Sequence, residues 1–210
     1  MLLFEHNIFS AKVFRNVIFE AKHQAGTLAY STELMLQFLD ETCREISRNG
    51  IKKIILVNTH GGNNSFLTYF LQIQMESPRN YAVYFFQPKE DAQTQKKITE
   101  LRTSTTGGHA DKIETAEMLV IMPEYVRMDQ TTTQSGKELQ RQNLKYLNTG
   151  ISWYVRYPNH YAGQAEGAVA ALGEIRLAAR SAQLVEAIQC VKADQATLRL
   201  QNKFFLRSNF

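Results

Sequence analysis

The segment that most constrains this chain is the apolar run Ile54-Ile55-Leu56-Val57, its turn Asn58-Thr59-His60-Gly61-Gly62-Asn63-Asn64, and the amphipathic stretch from Phe66 to Met75. A strand from Ile51 to Val57, nearly continuous in apolar residues after two lysines, suits the interior of a parallel sheet. Open α/β sheets bind their ligands beyond the carboxyl ends of such strands. His60 stands on that loop, and two glycines let a backbone turn sharply and approach a ligand closely. Taken alone, His60 is equally well explained as a hydrogen-bonded loop histidine or as a ligand.

The rest of the chain repeats the alternation. Ser31 can cap a helix whose apolar positions Leu34, Met35, Phe38, Leu39, Cys43 and Ile46 recur at helical spacing. Asn49-Gly50 is a left-handed stop. Ser65 to Glu76 predicts a second helix and Tyr81 to Phe86 a second strand. This order argues for an α/β fold with a mainly parallel sheet. Asp91 to Arg102 predicts a helix, Thr103 to Gly108 a loop, and Ile113 to Ile121 a helix stopped by Pro123. Residues 124–150 are polar and predict a surface excursion. An aromatic segment follows, with Trp153, Tyr154, Tyr157 and Tyr161, then an alanine-rich helix from Gln164 to Val191 and a basic, aromatic tail. Residues 1–30 look like strand and loop.

At 210 residues the chain can bury one α/β core, and neither a repeat nor a domain boundary is visible, so one domain over 1–210 is expected. The net charge of +4 is mild and its basic residues are scattered. No basic stripe interleaved with aromatics points to nucleic acid. No apolar run approaches the roughly 20 residues of a membrane span, and the first residues lack the pattern of a signal peptide. A cytoplasmic setting is the default expectation. Cys43 and Cys190 fall within helical patterns and are expected to be buried or half-buried thiols.

Gly107-Gly108-His109-Ala110-Asp111-Lys112-Ile113-Glu114-Thr115 is the second candidate. It puts a histidine on a glycine-rich loop and a carboxylate five residues later, in the first turn of a helix. Asp111 and Glu114 also have the spacing of a capping box, with acidic residues favoured at a helix N-terminus. Two histidines and a carboxylate on strand-to-helix loops are a set that can converge on one metal or one acid–base site. Imidazole with carboxylate suits zinc, manganese or iron, and a metal with open positions activates water for hydrolysis.

These segments resemble the creatininase family (creatinine amidohydrolase and relatives). Val57 to Asn63 is similar to that family's VNGHGGN, with Thr59 for a glycine. His109 to Thr115 resembles HAG-x-x-ET, with Asp111 for the glycine. Glu20 to Thr27 resembles EH-x-x-FPGT, with Ala21 where histidine is common and Ala25 where proline is. The matches keep their order and spacing from about Phe19 to the C-terminal helix. The resemblance implies a three-layer αβα sandwich, creatininase-like, with a metal site, usually dinuclear, that hydrolyses a C–N bond of a cyclic or small amide. It implies His60 and Glu114 as metal ligands, His109 as the residue handling protons or orienting substrate, and a homo-oligomer. Trp153 is either a pocket wall or a core aromatic.

The family's first metal motif, roughly E-x-HG-x-H-L-P-x-x-TD, has no counterpart here; Glu5-His6-Asn7 lacks its glycine, proline and aspartate. The expectation is therefore a chain truncated at the N-terminus relative to the family. An incomplete divalent-metal site (zinc, manganese or iron) and an exposed or repaired sheet edge are expected with it. Two functions follow: a metal-dependent amidohydrolase, or a catalytically incomplete relative that binds a small molecule or a partner. A phosphate-cradling loop at His60 lacks both G-x-G-x-x-G and a P-loop lysine.

Overall fold

The computed structural model describes residues 18–102, 107–139 and 143–208. It has seven α-helices and four short strands among these residues, and the chain divides into two compact units. Thr27–Gln87 and Val185–Phe210 make up the bulk of the first; the second comprises Glu20–Gly26 and Pro88–Leu184. The expectation of strand near the N-terminus falls partly outside the described residues, and Phe19–Ala21 forms a single 3-10 turn instead.

In the first unit, helix α1 (Thr32–Arg48) starts where Ser31 Oγ accepts the Leu34 N–H at 3.2 Å. It ends at Asn49, and Gly50 then takes a φ of +94°, the left-handed conformation glycine enters freely. Strand β1 (Lys53–Val57) and strand β2 (Ala82–Phe86) pair in parallel, Lys53 opposite Ala82 through Val57 opposite Phe86. Parallel neighbours need a long crossover, and α2 (Asn64–Ile73) supplies it. The core joins Cys43, Ile54, Phe70 and Tyr81, with Leu39, Leu56 and Val83 packed against them. Phe70 is fully buried, a contribution of about 1.5–3 kcal/mol.

The basic, aromatic C-terminal tail, to which no element is assigned from the sequence, forms helix α7 (Thr197–Ser208), with Phe205 buried. Asp194 caps its start by accepting N–H bonds from Ala196 at 2.7 Å and Thr197 at 3.2 Å, and accepts the Tyr84 hydroxyl at 2.6 Å. Lys53 Nζ donates at 2.9 Å to the carbonyls of Val191 and Lys192, at the end of α6 (Ala170–Ala193). A cation satisfies orphan carbonyls there and opposes the helix dipole.

In the second unit, α3 (Ala92–Leu101) is capped by Asp91 and α4 (Lys112–Ile121) by Asp111. Ile98, Ala116 and Leu172 form the core, with Ile113 and Ile175 against it. Gly173 of α6 lies so close to α4 that a β-carbon there would stand 2.5 Å from the Ala116 carbonyl carbon and 2.8 Å from the Glu117 nitrogen. Beside this contact Arg176 donates to Glu117 at 3.0 Å and to Glu90 at 3.2 Å. Burial pushes the Glu117 carboxyl above its ordinary value, opposed by Arg176 and Arg180.

Residues 124–139 hold short 3-10 turns such as Met128–Gln130, in keeping with an irregular excursion. Helix α5 (Ser152–Arg156) opens the aromatic segment. Gly107–His109, expected as loop, is strand β3, antiparallel to β4 (Ala162–Gly163). Cys43 is buried, but Cys190 is exposed, against the expectation for it. No helix among the described residues is long and apolar enough to cross a membrane.

Candidate functional site

His60 belongs to the first unit, at the carboxyl end of β1. Asn58 builds the loop around it. Its Nδ2 donates to the His60 carbonyl at 2.6 Å and to Asn64 Oδ1 at 2.9 Å. Its Oδ1 accepts the His60 N–H at 3.2 Å and Asn63 Nδ2 at 3.3 Å. One amide thus fixes the turn from β1 into the 3-10 segment Gly61–Asn63. The glycines do not act as expected: neither Gly61 nor Gly62 is in the left-handed region, and a β-carbon at Gly61 meets nothing within 4 Å. The half-buried His60 owes its position to asparagine hydrogen bonds.

His109 and Glu114 belong to the second unit, and the structure brings them together. Asp111 Oδ1 accepts the N–H groups of Ile113 and Glu114, both at 3.0 Å, starting α4. A β-carbon at Gly107 would collide with the Asp111 carboxylate and the Arg102 guanidinium, so a larger residue there would push these side chains aside. The capping box is present only in half. Glu114 Oε2 reaches past the cap to accept the Ala110 N–H at 2.7 Å, and Ala110 takes a φ of +51° to present it. The same oxygen lies 3.6 Å from His109 Nδ1. An open cleft of about 430 Å³ begins at Glu114 and Ala110 and is lined further by Thr115, Met118, Arg127 and Tyr161.

The far side of His109 is aromatic. Its ring centroid lies 4.4 Å from that of His160, edge-on, and 6.5 Å from that of Trp153. Trp153 Nε1 donates to His160 Nδ1 at 3.1 Å. Trp153 is therefore part of the His109 surroundings. Sequence reasoning missed His160. Its only signal was the turn-forming Tyr157-Pro158-Asn159 before it.

This arrangement can hold and deliver a proton. A carboxylate beside one imidazole nitrogen orients the ring and leaves the other nitrogen for a reacting group. A metal is another matter. Catalytic zinc sites usually take three protein ligands. No group of three or more His, Cys, Asp or Glu side chains that would hold a metal occurs among the described residues. The described donors therefore do not fit a complete metal site.

Comparison with known proteins places this chain in a family. The family model for creatininase (creatinine amidohydrolase) matches residues 17–188, and the chain belongs to that family. A solved structure assigned as a creatinine amidohydrolase from Bacteroides fragilis NCTC 9343 superposes with a TM-score of 0.66. It is 14% identical, over 83% of this chain and 67% of that one. A creatininase with manganese superposes with a TM-score of 0.61 at 18% identity, over 80% of this chain and 67% of that one. A creatininase variant of the zinc–zinc type gives the same values. At these identities the likeness shows the fold, a creatininase-like α/β fold. No curated protein matches the chain.

Proposed function

We propose that this chain is a hydrolase of the C–N bond in a small amide, cyclic or open. The observation that carries the reading is the His109–Glu114 pair, 3.6 Å apart, with Glu114 lining a cleft, in a chain of this family. His109 delivers a proton to the departing nitrogen, so that a neutral amine leaves instead of an amide anion. Glu114 holds the Nδ1 face of the ring and is itself fixed by the Ala110 N–H. Thr115, Arg127 and Tyr161 give the cleft polar contacts for a small substrate.

His60, in the first unit, and Glu114, in the second, are each proposed as a ligand to a divalent metal (zinc, manganese or iron), an imidazole and a carboxylate being donors that suit such ions. Such an ion would polarise the carbonyl and supply an activated water. Two donors do not complete a site, and no step above is routed through them. That shortfall favours one competing reading, a relative that binds small amides without turning them over. Self-association belongs to the proposal as well, and sedimentation of the purified chain tests it.

Purified chain supplemented with zinc or manganese, with creatinine and simple formamides as probes, separates the readings. Turnover that falls at least 100-fold in His109→Ala supports the hydrolase. Saturable binding of the same probes with no turnover at any metal loading supports the competing reading and removes this one. If metal binds, His60→Ala and Glu114→Ala each lower occupancy; unchanged occupancy in both overturns their assignment.

A further inference from the structure

We propose that His160, fixed by Trp153, is a positioning residue that sets the ring orientation of His109. The inference deepens the proposed function and rests on it for its catalytic meaning, but its geometry stands alone. Trp153 Nε1–H can only donate, so the nitrogen that receives it, His160 Nδ1, carries a lone pair. His160 is therefore held neutral with its proton on Nε2. Its ring then meets His109 edge-on at 4.4 Å, at an interplanar angle of 66°. His109 is confined between this ring and the Glu114 carboxylate on its Nδ1 side. Rotation of the imidazole would break one contact or the other.

Two independent features show that the surroundings hold His160 in an unusual place. Its φ is +61°, a conformation that residues with a β-carbon rarely adopt and that persists only where neighbouring structure imposes it. The turn that imposes it is tied on three sides. The His160 N–H bonds to the Tyr157 carbonyl at 2.9 Å. Asn159 donates to the Ser135 carbonyl at 3.2 Å. The Pro158 carbonyl accepts His23 Nε2 at 2.6 Å and Gln24 Nε2 at 3.2 Å. The segment Glu20–Gly26 thus locks the turn that carries His160. Trp153 packs at 5.0 Å on Tyr157 within the same turn.

The test is nitrogen-15 NMR of the histidine rings in the free protein, which needs no turnover, followed by kinetics on creatinine. The wild-type chain is expected to show His160 as a single Nε2–H tautomer. Trp153→Phe keeps an aromatic ring but removes the donor, and is expected to give His160 mixed tautomers and to shift the His109 ring signals. His160→Asn keeps a residue tolerant of positive φ but removes the ring, and is expected to shift His109 as well. In both variants kcat is expected to fall about tenfold with KM changed less than twofold. A wild-type His160 with its proton on Nδ1 overturns the proposal, whether or not either variant folds. So do folded variants whose His109 signals stay at their wild-type positions. Failure of the wild-type chain to hydrolyse any probe counts against the hydrolase reading, and the ring signals still decide the positioning.

Discussion

Gly173→Ala tests whether the seat of the candidate site is as tight as the structure has it. The added methyl would face backbone, the Ala116 carbonyl carbon at 2.5 Å and the Glu117 nitrogen at 2.8 Å, with the Ala116 oxygen closer still. No side-chain rotation relieves such a clash; α4 must retreat until these atoms reach about 3.4 Å, the start of ordinary van der Waals contact. Overpacking of this kind costs about 1–3 kcal/mol. Opposing it, alanine in a helix is favoured over glycine by about 1 kcal/mol. Because the obstruction is backbone, the upper end of the steric cost applies, and the net loss is about 2 kcal/mol. For a chain of this size that lowers Tm by about 4–8 °C. Thermal melts followed by circular dichroism read it, with exposed Glu174→Ala as the control expected within about 0.5 kcal/mol of wild type. Since α4 carries Glu114 in its first turn, hydrolysis should fall with it. A Tm equal to or above wild type would mean that helix propensity wins and that α4 and α6 do not touch as described.

Three further outcomes follow from local chemistry. Asp111→Ala removes an acceptor of two N–H groups and the partner of Arg102 at 3.5 Å. It should cost about 1–2 kcal/mol, most of it recovered by Asp111→Asn; an unchanged melt refutes the cap. Burial, aided by Asp40 and opposed by Arg79, pushes the Cys43 thiol up to about 12, whereas Cys190 is exposed. Native protein at pH 8 should therefore release one equivalent of thiol rapidly to an aromatic disulfide reagent and a second only in denaturant; two rapid equivalents contradict this burial. Asp194 is held well below the usual carboxylate range by the Thr197 hydroxyl first, then the Tyr84 hydroxyl and the Ala196 N–H. A depressed folded value contributes stability above the unfolded value near 3.9 and loses it as pH falls. The stability gap between wild type and Asp194→Asn should therefore narrow from pH 5 towards pH 2 in urea titrations, and a gap constant with pH removes Asp194 from that role.

What was legible in the sequence was what is decided within a few residues. Ser31 and the apolar positions up to Ile46 specify α1 because both the cap bond and the helical stripe are local. The run to Val57 specifies β1 because only a covered strand tolerates apolar residues on both faces. Strand β3 was not legible. Gly107-Gly108 has no strand propensity, and pairing with Ala162–Gly163, more than 50 residues on, creates the strand. Helix α7 was hidden by its exposed Phe204 and Leu206, although its inward positions Leu198, Gln201 and Phe205 keep helical spacing after the Asp194 cap.

The site divides along the same line. His109 and Glu114 were found because five residues of chain and one helix start bring them together. Asn58, one of the quoted motif residues, was read as part of a match and not as a clamp, since its four bonds appear only when the turn closes. His160 left only the turn-forming residues before it: its meeting with His109 depends on α5, on the Tyr157–His160 turn, and on a segment 135 residues away that grips Pro158. The Glu20–Gly26 segment itself was noticed only as an imperfect motif match, with alanine at two characteristic places. Its remaining residues His23 and Gln24 have a use that the motif does not describe, to hold a carbonyl in a turn. A His23→Ala chain should then lose the His160 tautomer preference while His109 and Glu114 stay folded.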